Sequence, residues 1–182
     1  MTVLGDILRD TATLARNFHG RAGPIELAKT FAYDGSQVLA LARLRAAAAR
    51  WRIPVVGGIL RRAQVALFGT EISADARLGN GILFLHTVGV VIGGDSQIGD
   101  RVVFLGSNTI GSNKKSGCPR IGNDVVIGAG ARILGEITIG AGASIGANAV
   151  VLRDVPAGAS AVGVPAVVRL RGQGRDASDP PK

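Results

Sequence analysis

The chain has 182 residues, 27 of them glycine, with aromatics at 4% and a formal charge of +8, yet its mean hydropathy is +0.31, which is too apolar for a disordered chain and too poor in large side chains for an ordinary thick core. The one cysteine, Cys118, excludes an intrachain disulfide framework, leaves no cysteine cluster for zinc, and points to a reducing compartment, the cytoplasm. No apolar run approaches the ~18 residues of a membrane-spanning helix, MTVLGDILRD has no basic region ahead of an apolar one, and the basic residues lack the aromatic interleaving of a single-strand nucleic-acid binder, so neither a membrane span nor a nucleic-acid partner is expected.

Residues 1–68 read as a short N-terminal α-helical segment. Val3 to Phe18 and Gln37 to Trp51 carry helical patterns, and LALARLRAAAARW is dense in strong helix formers. Pro54 and the Gly57-Gly58 pair break the second of these, and a short amphipathic helix follows to Phe68. The basic stretch from Arg43 to Arg52 reads as a solvated face, or as one lying on a membrane surface.

Residues 69–170 carry a repeat of six. Aliphatic or aromatic anchors recur as Ile72, Leu78 and Phe84, then as Ile92, Ile98, Phe104 and Ile110, then as Ile121, Ile127, Ile133, Ile139, Ile145 and Val151. Helical faces recur at three and four and strands at two, so a period of six punctuated by glycine fits neither and marks a parallel β-helix. Three hexapeptides make one triangular coil, with anchors inward and Gly or Asn at the corners. The step widens between Ile110 and Ile121, which puts a loop at about Gly111 to Arg120, GSNKKSGCPR. Insertions in a solenoid become loops, often on the binding face. The tail 171–182, rich in small and polar residues, reads as disordered.

The segments GTEISADARLGNGILFLHTVGVVIG, IGNDVVIGAGARILGEITIGAGASIGANAVVLRDVP and VGVPA resemble serine acetyltransferase and its relatives in the hexapeptide acyltransferase superfamily. The resemblance runs from Gly69 to Arg169. It implies a left-handed parallel β-helix, an acyl-CoA co-substrate, with acetyl-CoA the first choice, and transfer to a hydroxyl or amine without a metal. It also implies a homotrimer, because the helical segment is shorter than the one that this family uses to pair trimers into hexamers.

The same resemblance assigns residues. His86, in LFLHTVG, falls at the general base, and an imidazole titrates in the range such a base needs. Glu71, in GTEIS, falls where the family carries the acid that orients the base. His19, the other imidazole, is expected to be dispensable for the chemistry. Gly111, Ala129 and Ala147 fall where the family lays the pantetheine arm of coenzyme A, and Lys114, Lys115, Arg153 and Arg169 are candidates for its phosphates. The acceptor side departs from the family. Leu85 replaces an acidic residue, and Gly117-Cys118 replaces an Arg-His pair, so the groups that hold the ammonium and carboxylate of serine are missing. An acceptor other than free serine, packing on Phe84 and Leu85, is therefore expected. Two alternatives stand beside it: a serine O-acetyltransferase with a rearranged pocket, and a non-catalytic trimeric scaffold.

Overall fold

A computed structural model describes residues 2–113 and 117–170. The expected tail 171–182 and Lys114 and Lys115 lie outside the described residues. The chain opens with four helices, α1 (Val3–His19), α2 (Pro24–Phe31), α3 (Asp34–Arg50) and α4 (Pro54–Phe68). Thr2 caps α1 by accepting from the Gly5 N–H at 3.3 Å, and Gly20, at φ 72°, ends it in the left-handed region. Helix α2 is not expected from the sequence. Its pattern is only 8 residues long, and Pro24 at its start reads locally as a breaker rather than as the first-turn residue it is. Pro54 likewise opens α4, and Gly57-Gly58 lies inside that helix instead of breaking the chain before it. No helix among the described residues is long and apolar enough to cross a membrane.

Helix α3 is the hub of this segment. It buries Val38, Leu39, Ala42, Arg45, Ala47 and Ala48, residues on more than one of its sides. The stretch expected to be a basic surface face thus turns inward at two points, because α3 is packed by α1, α4 and the first coil together. Arg43 donates to Asp10 Oδ2 at 3.1 Å, to the Leu78 carbonyl at 2.7 Å and to the Gly79 carbonyl, while Asp10 Oδ1 accepts from the Gly81 N–H at 2.9 Å. Burial, opposed by the Arg43 charge, holds the Asp10 carboxyl above its ordinary value. These bonds fasten α1 and α3 to the first coil.

From Glu71 onward the chain winds as a parallel β-helix. The first face stacks β1 (Glu71–Ile72), β4 (Val91–Ile92), β7 (Thr109–Gly111), β10 (Arg132–Leu134) and β13 (Val150–Val151). The second stacks β2 (Arg77–Leu78), β5 (Gln97–Ile98), β8 (Arg120–Ile121) and β11 (Thr138–Ile139). The third stacks β3 (Leu83–Phe84), β6 (Val103–Phe104), β9 (Val126–Ile127), β12 (Ser144–Ile145) and β14 (Ser160–Val162), and β15 (Val167–Arg169) closes it antiparallel to β14. Register aligns the anchors in columns: Ile72, Ile92, Ile110, Ile133, Val151 on the first face and Phe84, Phe104, Ile127, Ile145, Ala161 on the third. Most are fully buried, and each large one contributes about 2 kcal/mol of apolar burial. Phe84 and Phe104 stack with centroids 5.0 Å apart.

Candidate active site

His86 lies two residues past Phe84, where the chain turns from the third face to the first. The same offset from Phe104, Ile127 and Ile145 gives Gly106, Ala129 and Ala147, and register stacks these four residues along one corner. Bonds between turns agree: Gly130 N–H donates to the Gly106 carbonyl at 2.9 Å, and Asn148 N–H to the Ala129 carbonyl at 2.8 Å. Gly106, at φ 120°, sits so close below His86 that a Cβ there would lie 2.9 Å from the His86 Cβ. Three coil steps of ~4.8 Å make a track of about 14 Å with nothing larger than a methyl group below the imidazole.

The backbone carrying His86 is fixed from both sides. Tyr33 Oη donates to the Leu85 carbonyl at 2.5 Å, Thr70 Oγ1 donates to the Thr87 carbonyl at 2.6 Å, and Gly89 N–H donates to the Gly69 carbonyl at 2.9 Å. Burial, and after it the Asp34 charge, raises the Tyr33 hydroxyl above its ordinary value, so it stays a donor. The imidazole itself is exposed and, among the described residues, makes no hydrogen bond.

Glu71 begins β1 beside this corner, its N–H bonded to the Val90 carbonyl at 2.9 Å. Its carboxylate is engaged elsewhere. Arg61 of α4 donates Nε to Glu71 Oε1 at 2.8 Å and holds the same oxygen from a terminal nitrogen at 2.7 Å. The structure therefore brings Glu71 to the neighbourhood of His86 but gives it an arginine as partner.

The other expected residues divide. Gly111 ends β7 and Gly117-Cys118 precedes β8, which puts them at the corner between the first and second faces. There a Cβ on Gly94 would lie 2.3 Å from Cys118 Sγ, and one on Gly117 would lie 3.6 Å from Glu136 Cδ. Arg153, two residues past β13, exposes its side chain at the same corner. Arg169 is exposed at the end of β15, opposite Ser160 on the third face. One chain thus separates Gly111, Gly117, Cys118 and Arg153 from the His86 corner. Phe84, expected at the acceptor, is instead a core anchor with 0% exposure. Its side chain points inward because it continues the six-residue period, and only Leu85 is left to face outward.

Sequence reasoning missed a cavity of about 370 Å³ that joins the helices to Leu85. Its walls are Phe18, His19, Lys29, Thr30, Tyr33 and Leu85, with no acidic side chain among them. Thr30 Oγ1 is buried there without a partner. No local signal announces this cavity, since it needs α2 folded back against α1 and the first coil. Arg132 was also missed: its Nη1 donates to the Ser107 carbonyl, next to the His86 track. Among the described residues no group of three or more His, Cys, Asp or Glu is placed to hold a metal ion.

The bacterial transferase hexapeptide family, a model of six repeats, matches residues 118–153. A serine acetyltransferase of Synechococcus elongatus is 42% identical over 142 residues, which cover 76% of this chain and 58% of that protein. The chain thus spans little more than half the length of that relative. A serine acetyltransferase of Helicobacter pylori strain J99 is 40% identical over 137 residues, covering 74% of this chain and 80% of its own. Among solved structures, a serine acetyltransferase in complex with CoA superposes with a TM-score of 0.80 at 30% identity, over 90% of this chain and 68% of that one. With four-fifths of the Helicobacter protein matched on top of the shared coil architecture, the chain belongs to the serine acetyltransferase family of hexapeptide-repeat proteins.

Proposed function

We propose that the protein is an acetyl-CoA-dependent acetyltransferase acting as a homotrimer in the cytoplasm, with His86 as general base and a hydroxyl or amine acceptor other than free serine. The observation that carries this reading is the corner column. An exposed imidazole heads a ~14 Å track of Gly106, Ala129 and Ala147, narrow enough to seat a thin chain with its thioester under the base. The relative solved with CoA supports the donor. In the reaction His86 takes the proton of the acceptor O–H or N–H as that atom bonds to the thioester carbonyl carbon. The C–S bond then breaks, and the departing sulfur takes the proton from the imidazolium. Glu71 orients the imidazole once it exchanges Arg61 for it.

The division of residues between two corners supports the trimer. Gly111, Cys118 and Arg153 come opposite His86 only if a second copy supplies their corner. On the acceptor side, a serine ammonium would meet Leu85 and the Lys29 ammonium with no carboxylate in the cavity wall, and leaving it unpaired costs several kcal/mol. The test is thiol release from acetyl-CoA over a panel of hydroxyl and amine acceptors, serine included. His86→Ala is expected to lower turnover by about 10²–10⁴-fold with coenzyme A affinity retained. Equal activity in that variant would remove His86 as the base, and a specificity constant for serine above all other acceptors would return the protein to serine acetylation.

A further inference from the structure

Away from the His86 corner, α3 and α4 enclose a cavity of about 380 Å³ that shares no wall residue with the acceptor cavity. Arg45 and Arg52 line it, together with Ile53, Pro54, Gly57 and Ala74. Arg45 is 7% exposed. Its Nη1 donates to Gln64 Oε1 at 3.0 Å and to the Ile72 carbonyl. Its Nε is buried with no partner, and among the described residues no carboxylate pairs with it. Burial, and after it the Arg61 charge, pulls the Arg45 guanidinium below its ordinary range, and Glu71, whose charge opposes this, is taken up by Arg61 at 2.7 Å. A guanidinium held this deep without an anion is unfavourable unless something supplies one.

The N-terminus of α4 opens on the same space. Ile53 offers it no side-chain cap and its first turn carries no acidic residue, so the positive end of the helix dipole, which meets the cavity wall at Ile53, Pro54 and Gly57, is uncompensated. Pro54 has no N–H to contribute. Arg52, at φ 55°, is a non-glycine residue in the left-handed region, a conformation that costs about 1 kcal/mol and is accepted where its side chain joins the cavity wall.

We infer that this cavity binds a small organic oxyanion, a phosphate or carboxylate on a short apolar body, held by Arg45 and Arg52 against the N-terminus of α4. Two guanidiniums beside a free helix start form the donor set that oxyanions take. The volume exceeds that of a bare phosphate, and Ala49, Ile53, Pro54 and Ala74 offer apolar contact to the remainder. Because Arg45 also holds the Ile72 carbonyl, next to Glu71, the bound anion bears on the strand that leads to the His86 corner.

The experiment is calorimetric titration of the full chain with inorganic phosphate, succinate and glycerol 3-phosphate in separate arms, which tell a free phosphate, a carboxylate and a phosphate ester apart. At least one is expected to give saturable binding at one site per chain. Arg52→Ala, at an exposed side chain, should weaken it by about tenfold or more. Gly57→Asp should abolish it, because a Cβ at Gly57 meets nothing within 4 Å and a carboxylate there occupies the same donors. Absence of saturable binding for all three anions, or binding unchanged in both variants, overturns the assignment.

Discussion

At the scale of single residues the molecule is decided by where two arginines of one helix point. Arg43 and Asp10 have side chains 15% and 5% exposed, and Arg43 also satisfies the carbonyls of Leu78 and Gly79 at the edge of the first coil. Replacing it with methionine keeps the volume but strands the Asp10 carboxylate, so Arg43→Met is expected to cost about 3–5 kcal/mol in urea unfolding. A loss under 1 kcal/mol would mean that the helices are held to the coil by apolar packing alone. This pair was not legible in the sequence. A run of arginines among alanines looks the same whether the helix lies on the surface or is packed on three sides, and the partner, Asp10, lies 33 positions away. His86 is proposed as the base from the sequence because the chain has only two histidines and one of them falls in a family motif; what the structure adds is that this side chain is exposed at a corner of the coil. Phe84 carries two expectations from the sequence, an inward anchor of the six-residue period and a contact for the acceptor, and its full burial keeps only the first.

At the scale of elements, the coils were readable and the helices only in part. An anchor every six residues is a long-range regularity that no single substitution hides, and every anchor from Ile72 to Val151 lies in or beside a strand. The turn-by-turn identity of the helices depends on boundaries, where proline and glycine carry opposite meanings in different contexts. Gly58 and Gly140 make the contrast measurable. Gly58 sits inside α4 with open space where a Cβ would go, so Gly58→Ala is expected to stabilise by about 0.5–1 kcal/mol through helix propensity. Gly140 stacks on the next coil so closely that a Cβ would lie 2.3 Å from the Ala157 nitrogen. Gly140→Ala is expected to destabilise by about 1–3 kcal/mol or more, since the backbone beneath cannot yield as a side chain would. Matched denaturation of the two variants checks both signs. The same change moving stability in opposite directions would show that glycine is a flexibility cost in the helices and a packing requirement in the coil.

At the scale of the whole molecule, the separation of the expected donor site between two corners of the triangle is the fact from which assembly has to be argued. His86, Gly106, Ala129 and Ala147 occupy one corner, while Gly111, Gly117, Cys118 and Arg153 occupy another. In the proposed homotrimer, a head-to-tail interface brings unlike corners together, and with a rotation that closes the ring three copies would present three equivalent sites. That arrangement has a consequence that a self-contained site lacks. His86→Ala damages one corner and leaves the other intact. Gly111→Phe damages the opposite corner, because among the described residues a Cβ at Gly111 meets no atom within 4 Å and a phenyl ring would extend into the space proposed for the donor. Each variant alone should be inactive. Unfolded together in equal amounts and refolded, they assort at random, and about one site in four receives His86 from one chain and Gly111 from its neighbour. The expected result is therefore roughly a quarter of wild-type thiol release, rising from the background of either variant alone. If each chain holds its whole site, every site in the mixture carries one lesion or the other, and the mixture stays as inactive as its parts.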